Sequence, residues 1–136
     1  MHVARTLLVA GIAAIPLTAA PAFAHHSVAL FDNEKNITLE GTVKEFQWTN
    51  PHIWVQLLVA DPATGRDVEW SIEGGSPNGL IRQGWSPHSI KPGDRATVVA
   101  HPLKTGSAGA VLLSVTIDGK RVGSCTPESK AMGRCK

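Results

Sequence analysis

ITLEGTVKEFQWTNPHIWVQLLVADPATGRDVEWSIE, residues 37–73, decides the fold, because apolar residues recur at every second position in three runs parted by turn signals. In the first run Ile37, Leu39 and Val43 alternate with Thr38, Glu40, Thr42 and Lys44, and the strand ends near Phe46 and Trp48. Thr49-Asn50-Pro51 breaks it. His52 to Ala60 reads as a second strand with Ile53, Val55, Leu57 and Val59 on one face. Asp61-Pro62-Ala63-Thr64-Gly65 is a polar turn, with Pro and Gly placed as hairpin connections use them. In the third run Val68, Trp70 and Ile72 alternate with Asp67, Glu69, Ser71 and Glu73, giving one apolar and one acidic face.

Downstream the period changes. Ser76 is placed as an N-cap with Pro77 at the first helical position, and Leu80, Ile81 and Trp85 fall near one helical face before Gly84 and Pro87. This predicts a helix of two or three turns. Lys91-Pro92-Gly93-Asp94 is a turn into a fourth strand with Ala96, Val98 and Ala100. Gly106 to Gly109 is a flexible connection, and Val111, Leu113, Val115 and Ile117 mark a fifth strand closed by Asp118-Gly119. The expected class is all-β with one short helix, in the order β-β-β-α-β-β. That is the element order of a five-stranded OB-like barrel. A flat five-stranded sheet capped by the helix would bury the same faces, so the pattern leaves both architectures open.

Upstream of this domain, Arg5 precedes an uncharged apolar stretch from Leu7 to Ala20, and Ala22-Phe23-Ala24 fits a small-x-small cleavage site. Residues 1–24 are expected to be a signal peptide, because that stretch is shorter than the ~20 residues of a spanning helix. Cleavage after Ala24 leaves 112 residues, enough for one domain, and no transmembrane anchor. The expected location is periplasmic or secreted. Residues 25–36 then form an N-terminal arm, 37–118 the barrel and 119–136 a tail. The tail holds Cys125 and Cys135, the chain's two cysteines, which export would oxidise to a disulfide worth about 2–3 kcal/mol. Without Arg5 the chain has twelve basic residues against eleven acids, scattered rather than clustered, which does not suggest nucleic acid as a partner.

Three runs carry a resemblance: His25-His26-Ser27-Val28-Ala29-Leu30-Phe31-Asp32, Leu39-Glu40-Gly41-Thr42-Val43, and Phe46-Gln47-Trp48-Thr49-Asn50-Pro51-His52. Together they resemble an uncharacterised bacterial family of exported proteins, domain of unknown function 6152, over the chain from His25 to about Asp118. The resemblance implies export and a small β domain, with no assigned activity or cofactor. The Cys125–Cys135 tail lies outside its pattern.

The histidines carry the most specific chemistry. Once Ala24 is removed, the α-amino group and Nδ1 of His25 can close a six-membered chelate ring on a divalent ion, the amine deprotonating readily when a metal competes. Nitrogen ligands in a planar arrangement favour Cu(II). One more imidazole completes a three-nitrogen site, and the candidates are His26, His52, His88 and His101. His52 is preferred because it follows Asn50-Pro51 at the start of the second strand; His101, before Pro102 at the end of the fourth, is the next choice. The arrangement is similar to the histidine brace of exported copper proteins. The chain has no tyrosine, however, so it lacks the axial Tyr of many lytic polysaccharide monooxygenases, which argues against oxidative catalysis. The plainer alternative is that His25-His26 belong to a frayed arm and His52 to an ordinary turn.

Trp48 and Trp54 fall on the opposite phase from the main apolar set and, with Asn50 between them, form a candidate surface for a small ligand or an envelope protein. Packing beneath a loop or the arm, with Phe31 over an indole, is the alternative. Asp67, Glu69 and Glu73 read as a solvated strand face, and Ser27, Ser76, Ser86 and Ser89 sit in no nucleophile elbow. The sequence therefore points to a non-catalytic binding module, with a copper-binding protein as the alternative and a metal-dependent enzyme behind both.

Overall fold

The computed structural model describes residues 28–123. Strands β1 (Ile37–Gln47), β2 (Trp54–Ala60) and β3 (Asp67–Glu73) form an antiparallel meander, followed by helix α1 (Pro77–Ile81) and strands β4 (Arg95–Pro102), β5 (Gly109–Ile117) and β6 (Lys120–Arg121). Along the sheet the order is β3-β2-β1-β4-β5-β6, and β3 also pairs with β5 in parallel through Ser71–Gly109, Ile72–Ala110 and Glu73–Val111. That pairing closes β1 to β5 into a barrel. The open sheet with a helical cap is thereby excluded, and the OB-like order is observed. Closure gives the Val- and Ile-rich strands partners on both sides over most of their length.

The interior is built by alternation. Ile53, Val55, Leu57, Ile72, Val98 and Val115 are completely buried, with Val43, Ala96, Ala100 and Ala110 around them. Gly41 also faces inward, where β1 passes from pairing with β4 to pairing with β2; a Cβ there would overlap the Leu58 carbonyl oxygen. The close approach of β1 to β2 therefore requires glycine at this position.

Two bulges depart from the strict alternation of the sequence. In β1, Val43 pairs with Leu57 and Glu45 with Gln56, so Lys44 is the extra residue. Phe46 and Trp48 consequently return to the inner side and pack against the core, with ring centroids 5.9 Å apart edge to face. Trp48 is thus not on the outer face, as its phase predicted. In β5, Val99 pairs with Ser114 but Ala100 with Leu112, leaving Leu113 as the extra residue. Leu113 is 44% exposed and Val111 turns outward, whereas Ala110 and Leu112 take the inner positions the sequence assigned to them. A bulge adds one residue to one strand and reverses the side-chain phase beyond it.

Three further differences are local. α1 spans five residues rather than two or three turns: Ser76 caps it by accepting from the Gly79 N–H, and Gly79 and Gly84 are poor helix interior residues, so Ile81 stays exposed while Leu80 and Trp85 are buried. Val68 is 37% exposed, because β5 covers β3 only from Ser71 to Glu73 and the Asp67–Trp70 edge has a partner on one side alone. Beyond Asp118-Gly119 the chain makes the short β6 against Thr116 and Ile117, so the sheet continues into the segment read as tail.

Candidate functional site

The pairing registers place five outward side chains in one row across the barrel wall: Gln47 on β1, Trp54 on β2, Glu73 on β3, Val111 on β5 and His101 on β4. Neighbouring strands lie about 4.8 Å apart, so Gln47, Trp54 and Glu73 on β1 to β3 share one side of the barrel over about 10 Å, and Val111 and His101 continue the row around the closed wall. Beside it runs a second row of Glu45, Gln56 and Ser71, in which the Gln56 amide donates to Ser71 Oγ at 3.2 Å. Gln47 Nε2 ties the two rows by donating to Glu45 Oε1 at 3.0 Å.

His52 stands at one end of this face. Its backbone is fixed by the loop between β1 and β2: Thr49 Oγ1 donates to the His52 carbonyl at 3.0 Å, Asn50–Pro51 is a cis peptide, and Ile53 exchanges backbone hydrogen bonds with Gly75 and Gly74. The imidazole Nδ1 lies 2.9 Å from the Gly74 carbonyl oxygen and 3.4 Å from Glu73 Oε1. A carbonyl only accepts, so Nδ1 carries the hydrogen and, in the neutral ring, Nε2 carries the lone pair. The two side chains are 25% and 19% exposed, which makes Glu73 a sheltered partner of His52 and not the solvated carboxylate expected from its strand phase. Glu69, four residues earlier, does remain exposed and pairs with Lys44 at 2.6 Å. The residue sequence reasoning missed is Glu73; its signal was an acid at the last position of an alternating strand, just before Gly74-Gly75.

His101 is held in the same chemical manner by a different element. Its Nδ1 donates to the Lys35 carbonyl at 2.9 Å. Lys35 belongs to the N-terminal arm, which runs along the end of β4: Asp32 N–H donates to the Pro102 carbonyl, Phe31 bridges Leu103, and Lys104 N–H donates to the Leu30 carbonyl. Phe31 is thus placed beside the β4–β5 connection. His52, just before β2, and His101, on β4, both lie on the outside of the barrel, and the paired residues Trp54, Glu73, Val111 and His101 run between them around the wall through β3 and β5. Trp54 is outward and half-buried, Asn50 is exposed in the loop, and His88 is exposed after α1. His25, His26, Cys125 and Cys135 lie outside the described residues. Among the described residues, no group of three His, Cys, Asp or Glu side chains is close enough to hold a metal ion, and no helix is long and apolar enough to cross a membrane.

A protein-family model matches residues 14–112, most of the chain and all of β1 to β4. The chain belongs to the Family of unknown function (DUF6152). For this DUF6152 member no curated protein gives a match. Two crystal structures of the mitochondrial single-stranded DNA binding protein Rim1 from S. cerevisiae are similar to it. One has 12% identity and a TM-score of 0.47, covering 62% of this chain and 93% of that chain; the other has 10% identity and 0.45, covering 62% and 94%.

Proposed function

We propose that this DUF6152 chain is an exported, periplasmic or secreted binding module that holds a ligand or an envelope protein on its outer face and does not turn it over. The observation that carries this reading is the run Gln47–Trp54–Glu73 across β1, β2 and β3, beside Glu45, Gln56 and Ser71, an aromatic and polar surface laid across rigid strands. In barrels of this topology the β2–β3 face and the adjoining loops are the usual binding surface, an argument from fold alone. Nucleic acid is disfavoured as the ligand, because this wall carries Glu45, Glu69 and Glu73 and its one lysine, Lys44, is already paired with Glu69. A photo-crosslinking residue at Gln56 in the native envelope tests the reading. It should give adducts that disappear with Trp54→Ala, whereas the same residue at Thr116, on the far side, should not. Identical adducts from both positions would remove this face as the binding surface. Intact mass of the exported protein checks the processing, with a chain beginning at His25 expected.

A second reading is a copper-binding protein in which the His25 amine and imidazole combine with His52. It is favoured by the His52 contacts, since metal-bound histidines regularly donate their other ring nitrogen to a carbonyl or carboxylate. Cu(II) titration of the processed protein should show tight binding that is lost when one extra residue precedes His25. Equal affinity in both forms would eliminate the terminal chelate.

A further inference from the structure

We propose that the uncovered edge of β3, from Asp67 to Trp70, is a docking site for an extended segment of another protein, which joins the sheet as a short antiparallel strand with basic residues on its outer side and apolar residues on its inner side. β3 pairs with β2 along its whole length, from Asp67–Ala60 to Glu73–Trp54, but with β5 only from Ser71 to Glu73. Among the described residues no strand lies on the far side of Asp67–Trp70. The direction of the free backbone groups follows from alternation. Ser71 N–H donates to the Ala108 carbonyl on the β5 side, whereas the Arg66 carbonyl accepts from Asp61 N–H at the β2 end. Hydrogen-bonding direction reverses at each residue of a strand, so Val68 and Trp70 bond to β2, while Asp67 and Glu69 each turn an N–H and a C=O to the open side. Exposed edges are commonly blunted by proline, lysine or a bulge. Asp67-Val68-Glu69-Trp70 has none of these, and its register with β2 runs without a shift.

The side chains name the partner. Directly paired residues share a face, so an added strand sets the residues opposite Asp67 and Glu69 on the outside of the barrel and those opposite Val68 and Trp70 on the inside. Outside it meets carboxylates. Asp67 and Glu69 are exposed, and Glu45 and Glu73 stand on the same side of β1 and β3. The one lysine of these three strands, Lys44, reaches Glu69 from β1 as an exposed pair, which is weak and leaves Glu69 able to take a second cation from the open side. The whole chain has a formal net charge of +2, so this acidity is local. Inside, the added strand meets Val68, which is 37% exposed, and the half-buried Trp70. An apolar residue there removes that surface from water. Strand addition takes affinity from main-chain hydrogen bonds and specificity from alternate side chains, and both are present at this edge.

The experiment titrates the full-length protein with three short synthetic peptides blocked at both ends: one alternating lysine and valine, one alternating glutamate and valine, and the lysine peptide methylated on its lysine backbone nitrogens, which keeps the charge and removes the donors that would face β3. Affinity is read by calorimetry and the edge by amide hydrogen exchange. The lysine peptide should bind and slow exchange at Asp67 and Glu69, while Val68 and Trp70, already bonded to β2, change little. Backbone methylation removes two or more hydrogen bonds and should weaken binding by more than about tenfold. The glutamate peptide should bind at least about tenfold more weakly than the lysine peptide, and the double variant Asp67→Asn, Glu69→Gln should narrow that difference. Equal binding of the methylated peptide, or binding without protection at Asp67 and Glu69, would reduce the site to a charge contact and overturn strand addition. Equal affinity for the lysine and glutamate peptides would overturn the basic partner, and failure of the lysine peptide to bind would overturn the site. If protection at the two amides appears without peptide and grows with protein concentration, a second copy of this chain is the occupant and the proposal fails.

Discussion

Along β2 and the two residues that lead into it, Ile53, Val55 and Leu57 turn inward and are completely buried, whereas His52, Trp54 and Gln56 turn outward and remain partly exposed. The inward residues are chosen for volume, and their neighbours are other strands' aliphatic side chains. The outward residues are chosen for chemistry, and their neighbours are the Glu73 carboxylate, the Gln47 amide and the Ser71 hydroxyl, spaced by the sheet. One strand therefore serves two selections with interleaved residues, and a substitution reports which selection it meets.

The largest separation should come from Leu57→Ala set against Gln56→Ala. Leu57→Ala leaves a cavity in the closed barrel and should cost about 2–5 kcal/mol, whereas Gln56→Ala removes a surface hydrogen bond to Ser71 and should cost about 1 kcal/mol or less, both read from urea unfolding. Equal losses would break the comparison. Gly41→Ala sharpens it, because here the inner face has no room at all: its Cβ would meet the Leu58 backbone carbonyl, which cannot rotate away. A loss of about 1–3 kcal/mol by urea unfolding is expected, with a flatter β1–β2 crossing.

The smallest effect belongs to the β2–β3 turn, where stability depends on charge rather than volume. The Ala63 N–H and the Thr64 hydroxyl both donate to the Asp61 carboxylate, which holds it below the usual carboxylate range. Its folded pKa is depressed, so its contribution is complete above the unfolded value near 4 and is lost as pH falls through the folded value. Unfolding midpoints measured from pH 6 downward should fall less steeply in Asp61→Asn than in wild type. An unchanged acid slope would remove this turn from the acid response.

The inner face was legible in the sequence because burial imposes a period of two, and Ile53, Val55, Leu57, Ala96, Val98 and Ala100 all stand where alternation puts them. The bulges were less legible. Lys44-Glu45 is a polar pair where alternation allows one polar residue, and that doubling is the trace of the β1 bulge; at Leu112-Leu113 both residues are apolar, so the β5 bulge leaves no trace in hydropathy. The outer face was legible residue by residue but not as a set. His52 and His101 were candidates on their own chemistry, yet the place of His101 relative to Glu73 depends on a parallel pairing between β3 and β5, which α1 and β4 separate along the chain, and no local pattern encodes that register. The Gly74 and Lys35 carbonyls are backbone groups, and a sequence gives no sign of which one an imidazole will meet.

The uncovered half of β3 has a consequence for behaviour at high concentration. From Asp67 to Trp70 the strand has hydrogen-bonding capacity on a side where β5 does not reach, next to the partly exposed Val68. A second molecule presenting the same edge antiparallel would bring Asp67 and Glu69 of both copies together. Like charges facing one another across a new ladder oppose its formation. Those two acids act as spacers between molecules: colloidal stability should decline when they are neutralised together, even though neither contributes to the interior of the barrel.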